Sequence, residues 1–284
     1  MIRSFLKAKR TRARILYEFY RRITSRIRNK YHNDNLRQPA VVFSPHFDDE
    51  TLGCGGTIIK KKRAGSDVKI VFMTDGSKSH SHLIAEDDLK AIRASEGLEA
   101  ARSLGLNTCD VFLLGFEETR LCEHVNAAID TVTEILWRTQ PLEVFVPYQR
   151  ETHLDHFITN RIVVSALQTY DREVIIYEYP IWFWHHWPLT SVPTNTLREI
   201  LSSLKRSLIS PASLLTEFNC SVYVGDVLTL KRAALSHYKS QMTRLISDPR
   251  WRTLRDVSNG EFLDFFFQEY EVFRARAPCM QKPR

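Results

Sequence analysis

Residues 40–58 read AVVFSPHFDDETLGCGGTI. Ala40 to Ser44 carry no charge, the composition of a strand buried on both faces. His46, Asp48, Asp49 and Glu50 follow at once, and residues 52–64 then read as a helix that Gly65 stops. The unit is strand, charged turn, helix, and it recurs outward along the chain. VKIVFMT (68–74), DVFLLG (110–115), EVFVP (143–147) and EVIIYEY (173–179) read as strands. Between them, residues 85–104, 123–139 and 155–169 read as helices, the first stopped by Gly105. Strands separated by helices of this length imply parallel βαβ units. The predicted fold class is therefore α/β, a doubly wound, mostly parallel sheet with helices on both faces. Beyond Pro180 the alternation weakens. IWFWHHWP (181–188) reads as an aromatic loop, residues 196–217 as a helix, SVYVGD (221–226) as a late strand and LKRAALSHYKSQM (230–242) as a helix.

In such sheets ligands bind at the carboxyl ends of the strands. Polar residues should then matter just after positions 44, 74, 115 and 147. His46, Asp48 and Asp49 follow the first of these strands, and His153, Asp155 and His156 follow the fourth. If the two strands are neighbours, the clusters converge. Two imidazoles and a carboxylate around an open position suit a catalytic zinc, and a further carboxylate beside it suits a general base. A plainer reading stands beside this one: the acids at 48–50 complement a helix dipole, and HLDH (153–156) is a solvated helix start. The glycines Gly53, Gly55 and Gly56 match no nucleotide-binding loop, and close packing of helix on strand accounts for them better.

PHFDDE (45–50) and HLDH (153–156) resemble the two metal motifs of the LmbE/PIG-L family of zinc-dependent N-acetylglucosaminyl deacetylases. Weaker similarity, in the same order, lies in TDG (74–76), RASE with AARSLGL (93–106), LGF (114–116) and KRAALSHYKSQ (231–241). The resemblance covers roughly residues 39–275. It implies a Rossmann-like layered fold and removal of an N-acetyl group from an amino sugar. By motif it implies His46, Asp49 and His156 as ligands of one Zn2+ per chain, another divalent metal remaining open. Asp48 would be the base, His153 would stabilise the oxyanion or protonate the leaving amine, and Asp155 would orient a histidine. Phe47 departs from the family's usual proline, trading a fixed φ for an apolar wall beside the metal.

Substrate contacts are less sharply defined. Arg93 either hydrogen-bonds sugar hydroxyls or pairs with Glu96 one turn on. Glu118 either binds a sugar hydroxyl or is an exposed loop acid. His237 is a candidate to reach the site from the C-terminal helix. Trp182, Trp184 and Trp187 stack on a sugar or belong to a core.

Charge divides the chain. Of 40 Lys and Arg and 33 Asp and Glu, residues 1–38 hold 12 and 2, leaving 28 and 31 for the remainder. Residues 1–38 are thus expected to form a basic, amphipathic helical arm ahead of a catalytic domain at 39–284. The arm packs on the body, contacts an anionic membrane peripherally, or binds nucleic acid; a specific nucleic-acid partner is not expected, because the body has no basic stripe. Five scattered cysteines without a CxxC pair, and no leader-like or membrane-spanning run, point to a reducing, cytoplasmic setting. Three functions remain in view: deacetylation of a free, nucleotide-, lipid- or glycan-linked N-acetylglucosamine-type sugar, hydrolysis of a sugar–thiol conjugate, and non-catalytic glycan or membrane binding on the same fold.

Overall fold

The computed structural model describes residues 29–170, 172–185, 190 and 216–276. Among these, eight strands form one sheet: β1 (Asn29–Lys30), β2 (Ala40–Ser44), β3 (Val68–Thr74), β4 (Val111–Phe116), β5 (Glu143–Pro147), β6 (Ile175–Tyr179), β7 (Cys220–Tyr223) and β8 (Tyr270–Arg276). The order across the sheet is β1-β7-β8-β6-β5-β2-β3-β4. β2 pairs in parallel with both β3 and β5, and β3–β4 and β5–β6 are parallel as well. Only β8 runs antiparallel, between β6 and β7.

The chain leaves β2 in one direction through β3 and β4, then returns to β5 and leaves in the other. The switch point of the sheet therefore lies between β2 and β5, where two successive crossovers part and leave a crevice. Alternate residues of β2 enter different cores. Ala40 and Val42 pack with Leu52, Ile58, Ala100 and Leu104, which lie on or beside helices α1 (Asp49–Arg63) and α2 (Glu86–Ser103). Val41 and Phe43 pack with Val132, Leu136, Ile162 and Ala166 of α3 (Val125–Thr139) and α4 (Leu154–Thr169). This layering makes every residue of β2 and β5 buried, which is why both strands lack hydrophobic alternation.

Helix α1 lies unusually close to its neighbours. A Cβ at Gly53 would overlap the Tyr179 ring, and one at Gly56 would stand 2.6 Å from Val224. Two charged residues approach the same face. Glu271 accepts the Gly56 and Thr57 amides at 2.7 and 2.8 Å, and Lys231 donates to the Leu52 carbonyl at 2.8 Å while pairing with Glu271 at 2.7 Å. The glycine cluster is thus a packing surface.

Several sequence expectations are corrected here. Residues 29–38 do not continue a helical arm. β1 pairs with β7, and the stretch after it is fastened to the body by buried Lys61, which donates to the Asn35 and Gln38 carbonyls and to Glu143, each within 2.8 Å. Tyr31 also donates to Glu143. The helix expected over 230–242 is two, α5 (Leu228–Leu235) and α6 (Lys239–Met242), with a break that turns Tyr238 inward. β8 was not anticipated. Residues 1–28, the rest of the arm, and the helix expected at 196–217, except for 216 and 217, lie outside the described residues. No described helix is long and apolar enough to cross a membrane.

Phe47 lies in the core rather than forming a wall beside a metal. It is 2% exposed and stacks on Phe72 with centroids 4.6 Å apart. Gly97 of α2 makes room for it, since a Cβ there would stand 2.6 Å from the Phe47 ring. Gly97→Ala should cost about 1–3 kcal/mol through overpacking, and Phe47→Ala about 3–5 kcal/mol through the cavity it leaves. In the double variant the new methyl enters that cavity, so chemical denaturation should give a total loss below the sum of the two. Additive losses would show that the two sites do not share this contact.

Candidate metal and catalytic site

The turn after β2 and the start of α4 meet at the switch point. His46 Nδ1 lies 3.2 Å from Asp49 Oδ2 and 3.2 Å from His156 Nε2, and His156 Nε2 lies 3.1 Å from Asp49 Oδ2. All three residues are buried. Two imidazole nitrogens facing each other can share only one proton, so lone pairs converge on one point. For ligand bonds of about 2.0–2.1 Å, tetrahedral geometry places ligand atoms roughly 3.3 Å apart. The donor set and its edges therefore fit a small divalent metal. His153 stands at the side of this triangle, its ring centroid 4.8 Å from that of His46 and 5.2 Å from that of His156. Ligating atoms of all three histidines fall within 4.8 Å of one another, so His153 borders the same point.

The surrounding residues fix these groups. Asp155 Oδ2 takes the other His46 nitrogen, Nε2, at 3.2 Å and the Thr119 amide at 2.8 Å. That leaves His46 Nδ1 facing Asp49 and His156, the division of labour expected of a carboxylate-oriented ligand. HLDH is not a solvated helix start, because Asp155 and His156 are fully buried. Glu50 closes the first turn. It accepts from Tyr238 Oη at 2.6 Å, from the Asp48 amide at 3.2 Å and from the Thr51 hydroxyl, while its own amide donates to Ser44 Oγ at 3.0 Å. Burial nevertheless raises the Glu50 carboxyl to about 7.

Asp48 is the exception in this turn. It sits at φ +118°, a conformation that side-chain-bearing residues rarely adopt, and its carboxylate caps no helix amide. Burial and the charge of Asp49 push its carboxyl well above the usual range, against the pull of Arg93. For Asp49, burial acts upward but the two histidines outweigh it and hold the carboxyl far below its ordinary value. His46 is raised by Asp155 and Asp49 although burial opposes them, whereas burial lowers His156. Burial, with His46 and His156, lowers His153 to about 4.

Two of the three predicted substrate residues, Arg93 on α2 and Glu118 after β4, hydrogen-bond to the loop that follows β3. Arg93 is 1% exposed and donates to Ser79 Oγ at 2.8 Å and Gln241 Oε1 at 3.0 Å. It does not pair with Glu96, which instead holds Ser240. Glu118 is buried rather than an exposed loop acid, accepting the Lys78 and Ser79 amides at 2.6 and 3.3 Å. His237 is half-buried beside the break after α5. Its neighbours are the residues that reach the first motif: Tyr238 through Glu50, and Gln241 through a 2.9 Å bond to the Phe47 carbonyl. Both were missed as site residues, since only the break in the helix turns them inward. Trp184 belongs to the core, Trp182 stacks on His153 at 6.2 Å, and Trp187 lies outside the described residues.

Residues 41–167 match the PIG-L family, GlcNAc-PI de-N-acetylase. Over 151 residues the chain is 24% identical to an uncharacterized deacetylase, YaiS, of Escherichia coli, covering 51% of this chain and 76% of that one. Over 160 residues it is 31% identical to a 1D-myo-inositol 2-acetamido-2-deoxy-α-D-glucopyranoside deacetylase of Rhodococcus opacus, covering 47% of this chain and 54% of that one. The chain thus spans about half the length of the second relative. The fold is shared with N,N'-diacetylchitobiose deacetylase of Pyrococcus horikoshii, at a TM-score of 0.59 and 23% identity over 84% of each chain. The match over residues 41–167 runs from β2 into α4 and takes in both histidine–aspartate motifs, so it is this part of the chain that is similar to the PIG-L family.

Proposed function

We propose that this chain is a zinc-dependent hydrolase that removes the N-acetyl group from an N-acetylglucosamine-type sugar. The observation that carries the reading is the buried triangle of His46 Nδ1, Asp49 Oδ2 and His156 Nε2, with edges of 3.1–3.2 Å, beside Asp48, whose carboxylate makes no cap hydrogen bond to α1. An amide is a poor electrophile, and a bound metal supplies polarisation of its carbonyl and acidification of water. His46, Asp49 and His156 hold the metal. Asp48 takes the proton of the attacking water. Its buried position and strained backbone support that role, since a ligand could not also serve as the base. His153, at the rim of the triangle, hydrogen-bonds the developing oxyanion or protonates the leaving amine. Asp155 keeps His46 in the tautomer that presents Nδ1. Arg93 and Glu118, on the β3 and β4 side, bind the sugar hydroxyls. Acetate and the free amino sugar leave.

Acetate release from free, nucleotide-linked, lipid-linked and oligosaccharide N-acetylglucosamine tests this reading. Asp48→Ala should lower the rate about 100- to 10,000-fold while the zinc content stays near one per chain by elemental analysis. His46→Ala should lose both activity and zinc. A purified chain that binds no divalent metal, or an Asp48→Ala variant as active as wild type, would sink the proposal. Tight binding of the sugars with no acetate released would point to a glycan-binding protein instead.

The charge of residues 1–38, 12 basic against 2 acidic, supports peripheral contact with an anionic membrane. Deleting residues 1–28 should abolish co-sedimentation with phosphatidylglycerol-containing vesicles and leave hydrolysis of a soluble substrate unchanged. Undiminished sedimentation would remove the arm from that role.

A further inference from the structure

Thr119 follows β4 with φ +70°, in the left-handed region. Threonine is poorly suited to that region because its branched Cβ crowds the backbone. Its side chain is exposed, so core packing does not account for the conformation. The amide does: Thr119 N–H donates at 2.8 Å to Asp155 Oδ2, the same oxygen that takes His46 Nε2 at 3.2 Å. Asp155 Oδ1 is buried without a hydrogen-bond partner among the described residues. The carboxylate is therefore fixed through Oδ2 alone, by one ring nitrogen and one amide. The turn before Thr119 is itself anchored, because the Glu118 amide donates to Asp75 Oδ1 at 3.2 Å and the Glu118 carboxylate accepts the Lys78 and Ser79 amides.

We infer that Thr119 is a positioning residue: its strained backbone aims an amide at Asp155, which sets the orientation and tautomer of His46 and hence the affinity of the metal site. The inference rests on the metal reading above. Without the amide, Asp155 can rotate about its side-chain bonds, and His46 loses the acceptor that holds a proton on Nε2. Outer partners of this kind are typically worth ten- to a hundredfold in metal affinity. Strain at functional positions is tolerated when it presents a group that a relaxed backbone would turn away.

The direct test replaces Thr119 in the full chain by its α-hydroxy acid, so that an ester oxygen stands where the N–H was. Zinc affinity is then measured by competition with a chromophoric chelator. The ester should weaken zinc binding about ten- to a hundredfold. Thr119→Gly keeps the amide and relieves the strain, so its Kd should stay within about twofold of wild type while its Tm rises. In an Asp155→Ala background the ester should have no further effect, because the amide acts through that carboxylate. An ester variant that binds zinc as wild type does, or a loss that adds in full to that of Asp155→Ala, overturns the proposal. Nitrogen-15 shifts of the His46 ring in the zinc-free chain give a second readout. Wild type should show one tautomer, protonated at Nε2, and the ester a mixture. Should wild type bind no zinc, the proposed function fails, and an unchanged tautomer in the ester would then sink this inference separately.

Discussion

Three atoms with lone pairs, His46 Nδ1, Asp49 Oδ2 and His156 Nε2, are held within 3.2 Å of one another inside the protein. Left to themselves, such groups would separate toward water, since burying polar atoms without partners is unfavourable. Much of the local structure resists that separation. Asp155 and Thr119 hold His46 from one side. Glu50, with Ser44 and Tyr238, locks the turn that carries Asp48 and Asp49. Gln241 ties the Phe47 carbonyl to the segment that also meets Arg93. The geometry of these three atoms is thus imposed by the fold, and on the proposed reading it is a cation that would satisfy them together.

The same economy of buried charge recurs away from the site. Lys61 with Glu143, Lys231 with Glu271, and Arg274 with Glu178 are ion pairs in which at least one partner is nearly inaccessible. Each joins pieces distant in sequence. Lys61 fastens residues 35–38 to the amino end of the sheet, and Lys231 with Glu271 fastens α5 and β8 to the glycine face of α1. Pairs of this kind contribute little net stability but are strongly unfavourable to break, so they define where segments dock. Two of the three, Lys61 with Glu143 and Lys231 with Glu271, bear on α1, the helix that carries Asp49.

How far these features could be read in the chain itself depends on whether their signals are local. β2, β3 and β5 were legible to the residue, because strands largely buried on both faces are short, mostly apolar runs between turn residues. β8 was not. It carries Glu271, Arg274 and Arg276, and its charges look solvated until Lys231 and Glu178 are placed opposite them. The helix break before α6 was also hidden, since no glycine or proline marks it; it follows from where Tyr238 and Ser240 find buried carboxylates. Phe47 was misjudged for the same reason: a residue between two site residues was assumed to face the site, while its ring turns into the core between β3 and α2.

The amino-acid sequence alone determined the alternation of strands and helices, the parallel sheet it requires, and the two charged motifs at strand ends, because periodicity and turn chemistry act over a few residues. Only the tertiary structure decided that β2 and β5 are neighbours, that one oxygen of Asp155 meets both His46 Nε2 and the Thr119 amide, and that Tyr238 and Ser44 are the partners of Glu50. Those outcomes depend on distances between residues as many as 188 positions apart, and such distances exist only once the sheet order has been settled by packing.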